Sequence, residues 1–178
     1  MQSSKVSIAK KTLILLETQS WNRISLSKVL GNKRYANINN KNDLLININR
    51  YFDYLLKENL ISLEKSSTKD MLFEVLMARL DILNIHRKSI KSLLNYFLSN
   101  PHKFIKLLPS FIESIILISN LSNIDVKGIQ GAAKIKSIFI LYFLTIYTWN
   151  KDETESLDKT MTTLDKYLNN IDRLFNFV

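Results

Sequence analysis

Bond-breaking chemistry needs nucleophiles, acids or metal ligands held close together, and this chain offers few of them. His86 and His102 are its two histidines, and neither has carboxylates nearby at metal-ligand spacing. His86 stands beside Arg87 where a helix is expected to begin, a place for capping or packing. Asp152, Glu153 and Glu155 make the densest acidic cluster. In a short turn before a helix they read as caps and solvated charge, not as an acid–base pair. There is no Ser-His-Asp set and no phosphate-cradling glycine loop; glycine occurs three times in 178 residues. Cysteine is absent, which excludes disulfides and thiolate metal sites and fits a reducing compartment. The expectation is a cytoplasmic protein that is not an enzyme and needs neither metal nor cofactor.

Recognition chemistry is better supplied. Lys28, Lys33, Arg34 and Lys41 are candidate phosphate contacts, which give affinity and salt dependence without sequence choice. Asn32 and Asn37 lie among them, and an asparagine amide can pair with the edge of adenine. The net charge is +9. Lysine, asparagine and isoleucine are abundant, as in low-GC genomes, so the total says little. Its distribution says more. Residues 1–50 hold nine Lys and Arg against two acids, a net of +7, while residues 51–178 hold 16 against 14, a net of +2. A genome-wide bias would act on both parts. A polyanion, with DNA the first candidate and anionic lipid the second, is therefore the expected partner at the N-terminal end. A solvated basic face is the bland alternative.

Helices must position these groups. With three Gly, two Pro and 46% apolar residues, the composition suits long helices better than a turn-rich β fold. Val6, Ala9, Leu13 and Leu16 form one stripe of a first helix over 4–19. Ser25 is placed to cap Leu26–Leu30, which Gly31 ends. Asn32 is placed to cap a further piece, Lys33–Ile38. Asn40 and Asp43 then open a long helix, with Leu45, Ile48, Phe52, Leu55 and Leu56 on its apolar face. A break at 64–68 precedes Ser67 and Asp70 at capping-box spacing. Helices follow over 69–84, 86–99 and 104–121, the last kinked or split at Pro109. After a loop at 120–131, Ala132–Trp149 is the most apolar helix. Its uninterrupted apolar run, about 13 residues, falls short of the roughly 20 a bilayer needs, so a buried core helix is expected and no integral membrane segment. Asp152 and Glu155 share capping-box spacing before a last helix. There Leu157, Met161, Leu164, Leu168, Ile171 and Phe175 recur at intervals of 4, 3, 4, 3 and 4. That seam suits helix pairing at a shallow angle, either with a second copy or within the chain.

Trp21, Ile24-Ser25-Leu26, Tyr35, Asn40-Lys41 and Asp43-Leu44-Leu45 together resemble the N-terminal domain of TetR-type transcriptional regulators. The body segments Leu72–Asp81, His86-Arg87, Trp149 with Asp152, and Thr160–Asp165 look like an alphaproteobacterial TetR-like subgroup. They are similar, more loosely, to coenzyme-Q biosynthesis accessory proteins, which have a TetR-like fold and bind isoprenoid lipids. The resemblance implies an all-α, TetR-like fold of about nine helices. It would have a helix-turn-helix head over 1–48 and a ligand-binding and dimerisation body over 49–178. It implies that Tyr35 and Lys41 touch the DNA backbone and that the last two helices pair two copies through Leu157, Met161, Leu164, Leu168, Ile171 and Phe175. It also implies an apolar small-molecule or isoprenoid site in the body, for which Phe73, Met77, Phe97, Phe111, Phe139, Tyr142 and Phe143 are candidates; simple core packing is the alternative.

The chain departs from the family at one place. Gly31 and Tyr35 are separated by Asn32, Lys33 and Arg34, nearly one helical turn fewer than the family usually has there. A recognition helix so shortened presents few side chains to a major groove. The expected function is a homodimeric TetR-like DNA-binding regulator gated by an apolar molecule. The alternative is an isoprenoid-binding accessory protein of ubiquinone biosynthesis that has lost DNA readout.

Overall fold

A computed structural model describes residues 1–33, 35, 37–60 and 66–175, with side chains through 171. Among these residues it is all-α, with nine α-helices, one 3-10 turn and no strand. The helices are α1 (Ser3–Thr18), α2 (Leu26–Leu30), α3 (Lys41–Asn59), α4 (Thr68–Ile85), α5 (Arg87–Ser99), α6 (Pro101–Ile105), α7 (Leu108–Leu121), α8 (Gly128–Lys151) and α9 (Asp158–Phe175); the 3-10 turn is Trp21–Arg23. The chain divides into two compact units. The first contains 1–55 and 82–111, the second 56–81 and 112–178, and the divides fall inside α3, α4 and α7.

Local chemistry explains several helix ends. Ser25 Oγ accepts the Lys28 N–H at 3.3 Å, and Gly31 closes α2 at φ 60°, a conformation that costs glycine little. The α3 cap is reciprocal. Asn40 Oδ1 accepts the N–H groups of Asn42 and Asp43, while Asp43 Oδ2 accepts those of Asn39 and Asn40 at 2.7 and 2.9 Å. Ser67 caps α4 as its spacing with Asp70 predicts.

Four expectations are corrected. The helical piece expected over Lys33–Ile38 is not seen among the described residues: Lys33, Tyr35, Asn37 and Ile38 are all non-helical, and Arg34 and Ala36 lie outside the described residues. Only eight residues separate Gly31 from Asn40, and their ends are already committed. Ile38 is buried, Asn37 is left-handed at φ 69°, and Asp43 holds the Asn39 and Asn40 N–H groups. Second, the kink or split expected at Pro109 falls ahead of it, at Lys106-Leu107. α6 runs from Pro101 to Ile105, and Pro109 sits in the first turn of α7, where its missing N–H costs nothing. Third, the loop before α8 is shorter than expected, and Gly131 lies inside the helix. A Cβ there would meet the Val126 carbonyl carbon at 2.0 Å, so a close backbone approach demands glycine. Fourth, Asp152 does not work with Glu155. It is buried, and it reaches the N-terminal turn of α9 at Thr160.

In the first unit α1 packs on α5 and α2, and α5 packs on the 3-10 turn and α6. Its core includes Ala9, Leu13, Trp21, Ile24, Leu44, Ile48 and Phe52. Buried polar tethers join distant segments: Ser89 Oγ donates to the Leu13 carbonyl at 2.7 Å, Asn47 Nδ2 to the Lys5 carbonyl at 2.9 Å, and Asn49 Nδ2 to the Ser110 carbonyl and hydroxyl at 3.0 and 2.9 Å. In the second unit α8 packs on α9 around Ile138, Leu141, Trp149, Leu164 and Leu168.

Candidate functional site

The head displays fewer of its cations than the sequence suggests. Lys28 Nζ donates to the Arg23 carbonyl at 3.0 Å and to Gln19 Oε1 at 3.3 Å. Lys41 Nζ donates to the Trp21 carbonyl, stands 3.4 Å from the Asn22 carbonyl, and lies 4.6 Å from the centre of the Trp21 ring. Both lysines thus converge on the carbonyls of the 3-10 turn, where cations are favoured. Half-burial lowers the Lys41 pKa. Asn32, Lys33 and Asn37 are exposed and Tyr35 is half-buried; Arg34 lies outside the described residues. None of these four residues is helical, so their side chains do not project from a recognition helix.

The seven candidate pocket residues fall into two groups. Phe97 and Phe111 belong to the first unit, where Trp21, Tyr96, Phe97, Phe104 and Phe111 form a chain of rings at successive centroid distances of 6.5, 5.3, 5.6 and 5.2 Å. Phe73, Met77, Phe139, Tyr142 and Phe143 belong to the second. There Phe143 meets Phe139 at 4.7 Å and Tyr142 at 5.5 Å, and the Tyr142 hydroxyl accepts from Nε of buried Arg79 at 3.4 Å. Tyr142 is buried, while Phe73, Met77, Phe139 and Phe143 keep part of their surface open. Sequence reading missed Arg79. A long cation at helical spacing with Leu72, Val75, Leu76 and Leu80 was the available signal.

The expected pairing seam is mostly used within the chain. Leu157, Leu164 and Leu168 are buried, Ile171 is half-buried and Met161 is 39% exposed; the Phe175 side chain lies outside the described residues. α8 carries four exposed apolar positions, Ile129, Ile140, Leu144 and Tyr147. Their spacing places them along one outer stripe. α8 is, by length and composition, the one helix among the described residues that could cross a membrane.

Two polar sites explain the remaining chemistry-bearing residues. His86 is half-buried beside Tyr51 and Phe52, at ring distances of 6.3 and 5.8 Å, and burial lowers its pKa, with Glu17 opposing and Lys10 assisting. Burial would raise the Asp152 pKa, yet hydrogen bonds from the hydroxyls and N–H groups of Thr154 and Thr160 prevail and hold it well below the usual carboxylate range. Each is satisfied by packing or capping. Among the described residues no three His, Asp or Glu side chains are grouped to hold a metal ion. No family model matches this chain, and no curated protein matches it.

Proposed function

We propose that this chain is a TetR-like, non-enzymatic protein whose helical body takes an apolar, isoprenoid-type ligand, and that it does not read DNA sequence. The observation that carries this reading is the non-helical backbone at Lys33, Tyr35, Asn37 and Ile38, where a DNA-reading member of such a family needs an exposed helix. Two further observations support it. Lys28 and Lys41 are engaged with the chain's own carbonyls, and Phe73, Met77, Phe139 and Phe143 keep open surface in an otherwise packed unit. The ligand class comes from the resemblance to coenzyme-Q accessory proteins. In the same proposal two copies pair through the outer stripe of α8 with Met161. Native mass spectrometry of protein purified without detergent, followed by titration with a polyprenyl quinone, tests the ligand. The expected result is one bound molecule per chain; an empty chain that takes up none overturns the reading.

The second reading, a DNA-binding regulator, is favoured by the charge of the first unit and by exposed Lys33 and Asn32. A gel-shift series on genomic fragments from about 50 to 200 mM salt separates the two. A shifted complex that discriminates between fragments supports the regulator. Absence of any complex at the lowest salt removes it.

A further inference from the structure

The α5–α6 corner of the first unit combines exposed apolar residues with exposed lysines. α6 buries none of its residues. Leu98, at the end of α5, is 77% exposed, and Ile105, at the end of α6, is 63% exposed. The two stand on either side of the corner at Asn100. The corner is not loose, because Phe97 and Phe104 lie behind it at a ring distance of 5.6 Å and Phe104 rests on Phe111 at 5.2 Å. His102, Lys103 and Lys106 are exposed around the two apolar tips.

Charge decides which partner fits. No Asp or Glu occurs between Asp81 and Glu113, whereas Arg87, Lys88, Lys91, Lys103 and Lys106 all lie in that interval. Glu17, the acid of α1, acts on His86 at the opposite end of α5, which over 13 residues is roughly 20 Å away. The α8 stripe is mixed in charge: Lys151 lies over the ring of Tyr147 at its end, and exposed Glu153, Glu155 and Asp158 follow in the chain, so it suits a protein partner better than an anionic one.

We infer that the α5–α6 corner docks on an anionic lipid bilayer, with Leu98 and Ile105 entering the headgroup boundary and Lys103 and Lys106 on lipid phosphates. Apolar insertion and charge attraction act together, as in other interfacial anchors, and long lysine stems let the charges stay at headgroup level while the corner sits deeper. This inference does not rest on a ligand in the helical body.

Vesicle flotation tests it, with phosphatidylcholine alone against phosphatidylcholine carrying phosphatidylglycerol, at about 100 mM salt where only near charges act. The full chain is expected on the anionic vesicles and not on the neutral ones. L98D/I105D is expected to lose binding at least tenfold, and K103A/K106A about tenfold with a weaker salt dependence. All four positions are exposed, so unchanged thermal unfolding shows that loss of binding is not loss of folding; K33A, elsewhere on the same basic unit, should bind like the parent. Equal binding by L98D/I105D and the parent overturns the inference, as does a parent that stays off anionic vesicles. Binding that duplex DNA abolishes while L98D/I105D retains it assigns the corner's charge to nucleic acid and also overturns it.

Discussion

The two units differ most in charge. The first holds fourteen Lys and Arg against Glu17, Asp43 and Asp53, a net of +11; the second holds eleven against thirteen, a net of −2. All of the chain's positive excess is therefore gathered in one compact unit. Residues 82–111 join 1–55 there, so the basic surface extends beyond the N-terminal segment. The units also hold themselves together differently. The first uses short helices, caps and buried amide or hydroxyl tethers between segments far apart in sequence. The second relies on the packing of α8 against α9 and on one buried carboxylate that ties the connecting turn to the start of α9. A unit carrying this much like charge gains less from apolar collapse alone, and directional hydrogen bonds between its segments offset part of the repulsion.

Substitutions can break or sharpen that contrast. Leu164→Ala should have the largest effect, about 3 kcal/mol, because it leaves a cavity between α8 and α9; chemical denaturation reads it directly. Asp152→Asn should cost about 2 kcal/mol, through loss of charge-assisted bonds to Thr160 and Thr154. The sign with pH follows. The folded pKa lies below the unfolded value near 4, so the stabilisation is present above that value and fades as pH falls below it. Melting temperatures of the parent and Asp152→Asn should therefore converge between about pH 4 and pH 2. In the first unit Asn49→Ala should cost about 1.5 kcal/mol by removing the buried amide that donates to the Ser110 carbonyl and hydroxyl. If it costs less than Ser25→Ala, expected near 1 kcal/mol as a lost cap, the tethers are not what holds this unit. His86 gives this unit its own pH response. Its folded pKa is lowered, so stability is lost as pH falls through about 6.5, and His86→Phe should flatten that loss in a melting series. The smallest effect belongs to Met161→Glu, within about 0.5 kcal/mol. Light scattering should show it weakening self-association if α8 and α9 face a second copy.

Much of the helical architecture was legible in the residues. Ser25 and Gly31 bracket α2 as their types require, Asn40 and Asp43 form the expected reciprocal cap, and Trp21 closes over a small core. The candidate sites were less legible. Lys28 and Lys41 have the same local signature whether they face phosphate or a carbonyl; which one holds depends on where the Trp21–Arg23 turn lies. Leu157, Leu164 and Leu168 show a pairing seam at any pairing distance, and periodicity does not say whether the partner helix belongs to the same chain. Asp152 is clearer still, since its partner Thr160 lies beyond the range of any capping motif.

The order of apolar and polar residues by itself determined that this chain folds as helices, where most of them begin and end, and that its N-terminal segment is basic, because periodicity and capping act within a few residues. Only the tertiary structure decided that Lys33, Tyr35, Asn37 and Ile38 are non-helical, that Leu157, Leu164 and Leu168 of the pairing seam are buried inside the chain, and that 82–111 share a unit with the basic segment. Those outcomes depend on which groups, distant along the chain, compete for the same buried space and the same hydrogen-bond partners.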